Sequence, residues 1–316
     1  MRAVLSSLVF TSVALAQVDA GKVEAAKVDA GKPVEAKVAA NVAKIAWSLD
    51  GFSTPESVLY DAESDTYLVS NINGSPVAKD NNGFISEVSA EGKLLDLKFI
   101  EGGQKKVTLN APKGLALHKG VLYVADFDTV RWFDRKTGAP LGSLPIVGAS
   151  FVNDLAVGTD GRIYVSDSGL KGTKEGLGPT GTDGVYSIEP GAKPKLRTVK
   201  KSKDLHGPNG LLATEKGLAL VVFGSDELFA MDFAGKETAP VVHVGGKALD
   251  GIISVGNDFI ISSWETKALW RGPAAGPFVQ ILGDLESPAD IGFDSKRNRV
   301  LVPRFMNNKI DVVQLP

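Results

Sequence analysis

Pro208-Asn209-Gly210-Leu211-Leu212 is one of six related segments that together decide the fold. Each segment leads into a short apolar strand, which is followed by a turn, a second strand and usually a third and a fourth. The other five segments are Pro55-Glu56-Ser57-Val58-Leu59-Tyr60, Pro112-Lys113-Gly114-Leu115-Ala116-Leu117, Val152-Asn153-Asp154-Leu155-Ala156-Val157, Leu249-Asp250-Gly251-Ile252-Ile253 and Ala289-Asp290-Ile291-Gly292-Phe293. Their second strands centre on Tyr67, Tyr123, Tyr164, Leu220, Ile261 and Leu301, so the unit recurs about every 40 to 56 residues. Four short strands in a repeat of this length predict a blade of a β-propeller.

The two ends of the repeat region complement each other. The last repeat ends at Val312-Val313-Gln314-Leu315 after only three strands, whereas Lys44-Ile45-Ala46-Trp47-Ser48-Leu49 precedes the first repeat without a partner. Pairing these two strands would close the ring and remove both exposed edges. We therefore predict an all-β, six-bladed propeller of four-stranded blades over residues 44–316, closed by an N-terminal strand. A five-bladed ring with one degenerate repeat is the alternative.

The residues before the repeats have the pattern of an export signal and a linker. Met1-Arg2 is followed by an apolar stretch up to Leu15, and Ala14-Leu15-Ala16 is typical of a cleavage site. Residues 1–16 are therefore predicted to be a signal peptide, and the Ala- and Lys-rich residues 17–43 a low-complexity linker. We expect an exported protein, periplasmic or secreted, without a membrane span.

Composition excludes several classes of function. The 316 residues include 35 Lys and Arg against 37 Asp and Glu, and this near balance argues against a nucleic-acid partner. Cysteine is absent, which rules out disulfides, zinc ribbons, iron–sulfur clusters and a thiol nucleophile.

The register of the repeats places six polar residues at one end of the propeller. The first strands of all blades line the central channel and run in the same direction, so their N-terminal ends converge at one mouth. The equivalent positions there are Glu56, Lys113, Asn153, Asn209, Asp250 and Asp290. Convergent polar groups in a concave site predict a binding or catalytic centre.

The chemistry of these six side chains favours a hard cation. Carboxylate and amide oxygens without nitrogen or sulfur ligands are typical of Ca²⁺, Mg²⁺ or Mn²⁺ sites rather than of structural Zn²⁺. Ca²⁺ is our first expectation, with Mg²⁺, Mn²⁺ or Zn²⁺ as alternatives. Asp290 is a candidate further ligand or base, and Lys113 is expected to face substrate or to pair with a carboxylate.

Four of these positions resemble a known family. The order Glu56, Asn153-Asp154, Pro208-Asn209-Gly210 and Asp250-Gly251 is similar to that of the regucalcin/gluconolactonase family of six-bladed propellers. This resemblance covers residues 44–316. It implies a divalent cation held by the residues that match Glu56, Asn153, Asn209 and Asp250. Phe151-Val152 stands where sugar-lactonases of the family commonly carry Arg-Pro, so the resemblance implies sugar-lactone specificity less than metal binding.

Several other residues are candidates for the substrate site. Residues 169–183 are predicted to form a long glycine-rich loop at the rim. His206 lies three residues before Asn209 and is either an acid or base, or a structural hydrogen-bonding residue. Trp264, Phe127 and Arg304 follow second strands, where they either line a substrate pocket or pack between blades.

Two functions of different classes follow from this sequence. In the first, a divalent cation polarises a lactone or ester carbonyl, and Asp250 or else Asp290 activates water. The partner is then a small molecule, and we expect a monomer. In the second, the chain is a non-enzymatic secreted propeller, similar to NHL-type propellers, that binds a protein or glycan.

Overall fold

The computed structural model describes residues 43–316, and they form six antiparallel sheets of four strands each. The predicted signal peptide and most of the predicted linker lie outside the described residues. The sheets are built from 24 of the 26 strands, and the remaining two pair with each other in a hairpin. The six-bladed, four-stranded propeller is therefore confirmed, and the five-bladed alternative is wrong.

The strands follow one another in chain order, with two 3₁₀ helices between them. They are β1 (Lys44–Asp50), β2 (Pro55–Asp61), β3 (Thr66–Asn71), β4 (Phe84–Ser89), β5 (Leu94–Glu101), β6 (Pro112–His118), β7 (Val121–Asp126), β8 (Thr129–Asp134), β9 (Pro140–Pro145), β10 (Val152–Val157), β11 (Ile163–Asp167), β12 (Leu170–Thr173), β13 (Gly176–Pro179), β14 (Gly184–Glu189), β15 (Lys195–Lys201), β16 (Pro208–Thr214), β17 (Gly217–Val222), β18 (Glu227–Met231), β19 (Val242–His243), β20 (Leu249–Val255), β21 (Asp258–Ser263), β22 (Ala268–Pro273), β23 (Val279–Leu282), β24 (Gly292–Asp294), β25 (Arg299–Arg304) and β26 (Lys309–Gln314). The 3₁₀ helices are Lys203–Leu205 and Phe305–Asn307.

Each blade is one sheet in the order of the chain, except for the last. Blades 1 and 2 are β2–β5 and β6–β9, blade 3 is β10, β11, β14 and β15, and blades 4 and 5 are β16–β19 and β20–β23. Blade 6 has the order β24-β25-β26-β1, so the N-terminal strand supplies its outer edge. Lys44 pairs with Gln314 and Asp50 with Lys309 in this contact. Closure by the N-terminal strand is confirmed.

The core lies between neighbouring blades. Within residues 43–316, six clusters of buried apolar side chains each combine residues of two adjacent sheets. Tyr164 of blade 3, for example, packs in one cluster with Leu220 and Phe229 of blade 4. Central strands such as β3 and β17 are buried along their whole length, because every blade is covered by two others.

A β-bulge at the start of the innermost strand recurs in blades 1 to 5. In blade 1, Pro55 pairs with Asn71 and Val58 pairs with Val69, so that two residues, Glu56 and Ser57, lie opposite the single Ser70. The same shift occurs in the other four blades. A bulge interrupts the alternation of side chains and re-aims one of them. The first bulge residue in each of these five blades is one of the predicted polar residues.

Glycine after the polar residue allows neighbouring inner strands to approach closely. A Cβ atom on Gly210 would lie 2.1 Å from the carbonyl oxygen of Asp250, and one on Gly251 would lie 2.3 Å from the backbone nitrogen of Ile291. Both positions therefore require glycine. The Asn-Gly and Asp-Gly pairs of the sequence reflect this contact between blades.

The segment predicted to be a glycine-rich loop contains a two-stranded hairpin, β12–β13. Leu170 pairs with Pro179 and Gly172 with Leu177, so these four residues share one face of the hairpin. Its glycines hid the strand pattern in the sequence.

No helix among residues 43–316 has the length and apolar character needed to cross a membrane.

Candidate active site

Five of the six predicted polar residues line one cavity at the channel mouth. They are Glu56, Lys113, Asn153, Asn209 and Asp250, and each is buried. The cavity has a volume of about 80 Å³, which holds several water molecules. Five of the six positions that share one register in the sequence thus meet in one cavity.

Asp290, the sixth position, lies next to this group but does not line the cavity. Its backbone nitrogen donates to the carbonyl oxygen of Glu56 at 2.9 Å, and the Ser57 hydroxyl donates to its Oδ2 at 2.5 Å. Ser57 also forms a backbone bridge to Asp290 across the junction of blades 1 and 6. Asp290 therefore affects the cavity through its charge and through Glu56.

Hydrogen bonds fix the orientation of both amide side chains. Asn153 Nδ2 donates to Ser168 Oγ at 2.9 Å and to Asn209 Oδ1 at 2.6 Å. Asn209 Nδ2 in turn donates to the carbonyl oxygen of Leu249 at 3.3 Å. The oxygen on the other side of the Asn153 amide, Oδ1, is buried without a hydrogen-bond partner.

Two carboxylate oxygens at the cavity are also unpartnered. Asp250 Oδ2 accepts a hydrogen bond from Trp264 Nε1 at 2.7 Å, but Asp250 Oδ1 and Glu56 Oε2 are buried without a partner. Buried polar atoms in native proteins almost always have a partner, and each exception needs an explanation. Three such oxygens around one cavity form a set of acceptors for a ligand that offers positive charge.

The electrostatics of the site favour a ligand that carries positive charge. Burial raises the pKa of Glu56 and of Asp250 well above the ordinary values, and the nearby Asp290 charge raises both further. Burial also raises the pKa of Asp290 to about 7. Asp154, the residue after Asn153, has a pKa raised by burial and by the Asp290 charge. A positive charge among these four carboxyl groups would stabilise their ionised forms.

Lys113 is the cationic side chain in this group. It is buried, its Nζ donates to the carbonyl oxygen of Ala111 at 3.1 Å, and the same atom lies 4.3 Å from the centre of the Phe151 ring. Burial lowers the pKa of Lys113 to about 8. One ammonium group balances only part of the charge of the acidic side chains around it.

The residues present fit a hard divalent cation through a mixed set of ligands. No three Asp, Glu or His side chains within residues 43–316 form a metal-binding cluster, so a site here depends on its two amides as well as on Glu56 and Asp250. Two carboxylates and two amide oxygens match the preference of Ca²⁺ for oxygen ligands. Asn153, Glu56 and Asp250 each supply an unpartnered oxygen for it.

Of the other predicted substrate residues, one lines the cavity and two do not. Trp264 lines the cavity, as predicted for a substrate pocket. Arg304 does not: its Nη1 donates to Asp311 Oδ2 at 2.5 Å and its Nε to the carbonyl oxygen of Glu286 at 2.7 Å, and both are contacts within the fold. His206 lines an adjoining groove, where its half-exposed ring lies with Nδ1 2.7 Å from Glu227 Oε2.

Of a second ring of residues, those directly after the second strands, only Trp264 and Phe127 are predicted from the sequence. The residue directly after the second strand lines the cavity in five blades: Ile72, Ser168, Phe223, Trp264 and Phe305. The equivalent residue in blade 2, Phe127, instead lies under the Lys79 ammonium group at 4.6 Å. A common offset from the second strand was the signal in the sequence, and it selects Phe305 rather than Arg304 in blade 6.

Comparisons with known proteins support the fold. No known protein family and no curated protein matches the sequence. Among solved structures, the chain is similar to a gluconolactonase from Xanthomonas campestris, with 19% identity and a TM-score of 0.61 over 84% of this chain and 88% of that one. A putative gluconolactonase is similar at 16% identity and a TM-score of 0.60, covering 88% and 93% of the two chains.

A propeller with different chemistry is similar to almost the same degree. A streptogramin B lyase matches at 12% identity and a TM-score of 0.58, over 85% of this chain and 97% of that one. At these identities the likeness concerns the fold alone, which in this chain is a six-bladed propeller. The activity has to be argued from the residues of this chain.

Proposed function

We propose that this protein is a divalent-cation-dependent hydrolase that opens a lactone or a related ester at the channel mouth. The observation that carries the proposal is the set of three unpartnered buried oxygens, on Glu56, Asn153 and Asp250, around one cavity. We further propose that Asn209 completes the ligand set, because it lines the same cavity and its Oδ1, which accepts one hydrogen bond from Asn153 Nδ2, has a second lone pair for a cation. When bound, Ca²⁺ or a similar cation supplies Lewis acidity that polarises a carbonyl group.

The side chains of the cavity have the roles that the reaction needs. Asp250 accepts the proton of the attacking water, and Trp264 holds the Asp250 carboxylate in place through its 2.7 Å hydrogen bond. The water oxygen adds to the carbonyl carbon, the C–O bond to the leaving oxygen breaks, and that oxygen takes up the proton that Asp250 accepted, which returns Asp250 to its ionised form. Lys113 has N–H groups beyond the one bonded to Ala111 and stabilises negative charge on oxygen.

The proposal is tested by cation binding and hydrolysis measured on the same preparations. We expect calorimetry to detect Ca²⁺ binding by the wild type, no binding by Asp250→Ala and weaker binding by Asn153→Ala, because only the first change removes charge. Asp250→Asn keeps an oxygen ligand but cannot accept a proton, so it should lose more rate than affinity. A panel of lactones and aryl esters supplies the rates.

Two outcomes would contradict this function. Absence of Ca²⁺, Mg²⁺, Mn²⁺ and Zn²⁺ binding by the wild type would favour the non-enzymatic binding propeller. Cation binding without hydrolysis of any lactone or ester in the panel would make the cation a structural element and refute the hydrolase.

We also propose that the protein is exported after cleavage behind Ala16. Mass spectrometry of the protein purified from its native host should then find Gln17 as the first residue. An intact Met1 in the native protein would contradict export by this route.

A further inference from the structure

The walls above the polar residues are apolar. Phe223, Trp264 and Phe305 form a continuous aromatic arc over blades 4 to 6, with ring centres 5.7 Å and 5.2 Å apart. Ile72 and Phe151 continue the wall over blades 1 and 3. A substrate bound to the polar floor would therefore have its remaining atoms against hydrocarbon.

The β12–β13 hairpin adds an apolar roof to this wall. Leu170 and Leu177 lie on the same face of the hairpin, and both line the cavity. The hairpin also approaches the blade 1 loop, because a Cβ atom on Gly172 would lie 3.1 Å from Val77. Leu177 keeps 48% of its surface exposed. A leucine left half exposed beside a cavity has apolar surface to offer to a ligand.

Hydrogen bonds fix the base of the hairpin. The hydroxyl groups of Ser150, Thr180 and Thr182 lie 2.8 to 2.9 Å from one another. Asp167 accepts hydrogen bonds from the backbone nitrogens of Phe151 and Gly169, on the two sides of that base. The roof is thus held in place by the same blade that carries Asn153.

The polar floor has few hydrogen-bonding groups left for hydroxyl groups of a substrate. Ser168 Oγ accepts from Asn153 and donates to the carbonyl oxygen of Pro208, so the serine is satisfied. Both N–H groups of Asn153 and one of the two of Asn209 are also engaged. The free oxygens of the floor are the proposed cation ligands, so the donors that remain among the described polar residues of the cavity are Lys113 and the second N–H of Asn209. A polyhydroxylated ring bound here would replace only a few of the hydrogen bonds to water that it loses.

We propose that the substrate is an apolar lactone or ester, with an alkyl or aryl substituent that lies against Leu177 and the Phe223–Trp264–Phe305 arc, and not a sugar lactone. This inference rests on the proposed hydrolase function. Burial of each further methylene against these side chains should raise kcat/KM about fourfold until the substituent leaves the cavity. The hydroxyl groups of a sugar lactone would find no hydrogen-bonding partners in these apolar side chains.

The test uses the full chain with Ca²⁺ and a series of δ-lactones with one common ring. We expect kcat/KM to rise from δ-valerolactone through δ-hexalactone to δ-octalactone, and to be at least about 100-fold lower for glucono-δ-lactone than for δ-octalactone. Leu177→Asn should reduce the ratio of the octalactone to the valerolactone value. Leu95→Asn is the matched control, because Leu95 is 47% exposed and lies on an outer strand, and it should leave the ratio unchanged.

Binding measured without turnover separates this inference from the hydrolase function. The corresponding δ-lactams resist hydrolysis, and their binding can be followed by calorimetry. Tighter binding of longer alkyl lactams without any lactone hydrolysis would support the apolar site and refute the hydrolase. Lactone hydrolysis that is independent of chain length, or fastest with glucono-δ-lactone, would overturn the apolar substrate and leave the hydrolase in place.

Discussion

Replacing Asp290 with asparagine should stabilise the cation-free protein, and the gain should increase with pH. Burial raises the pKa of Asp290 from its ordinary value of 3.8 to about 7. Between these two pH values the folded protein keeps a proton on Asp290 that the unfolded chain releases. The stability of the wild type therefore falls as the pH rises through this window, and Asp290→Asn removes this loss.

The size of the effect follows from the pKa difference. Each pH unit between 3.8 and about 7 lowers the free energy of unfolding of the wild type by about 1.4 kcal/mol, and the total loss stays constant above that window. The variant should therefore gain about 3 kcal/mol more, relative to the wild type, at pH 8 than at pH 5. Its new NH₂ group lacks a partner, at a cost of about 1 to 2 kcal/mol that does not depend on pH. The amide oxygen can still accept from Ser57 Oγ, which now donates to Asp290 Oδ2.

Urea unfolding of both proteins at pH 5 and pH 8, with EDTA present, measures this difference through the free energy of unfolding. Asp50→Asn serves as the control, because Asp50 is an exposed residue of the outer strand β1. An Asp290→Asn effect that is equal at the two pH values, or that is more destabilising at pH 8, would refute the idea that burial of charge governs this site.

Three further predictions concern the cation, the closing strand and the adjoining histidine. Ca²⁺ should raise the Tm more at pH 8 than at pH 5, because protons compete with it for carboxyl groups of raised pKa such as Glu56 and Asp250; an equal shift at both pH values would contradict a carboxylate site. Deletion of residues 17–50 should unfold or aggregate the protein, since it removes the outer strand of blade 6, whereas deletion of 17–40 leaves that strand in place; equal Tm values of the two truncations would disprove this. His206→Asn should change kcat less than about threefold and leave the acid limb of the pH–rate profile in place, because His206 lies outside the cavity; loss of that limb would make it the base.

The sequence was sufficient to predict the ring and its polar mouth for a physical reason. Repeats of an apolar strand, a turn and a second strand fix the register of each blade, and the register carries Glu56 and Asn209 to equivalent places. The β-bulge that turns these side chains into the channel leaves little mark in the sequence, except for glycines such as Gly210 where the next strand comes close.

The walls of the site could not be predicted in the same way. Leu177 reaches the cavity only because a hairpin in a glycine-rich segment folds over the mouth, and strand periodicity does not show such a contact. In blade 6 the sequence drew attention to Arg304, whose charge is used by Asp311 inside the blade, while the next residue, Phe305, lines the cavity. In both cases side-chain contacts decide the outcome, and the period of a strand does not show them.

The most direct test of the cation site is an anomalous difference map from crystals grown with Mn²⁺. The proposed cation site predicts a strong peak at the channel mouth, within about 2 to 2.6 Å of side-chain oxygens of Glu56, Asn153, Asn209 and Asp250. A map without a peak among these four residues, or with its main peak at another place on the molecule, would contradict it.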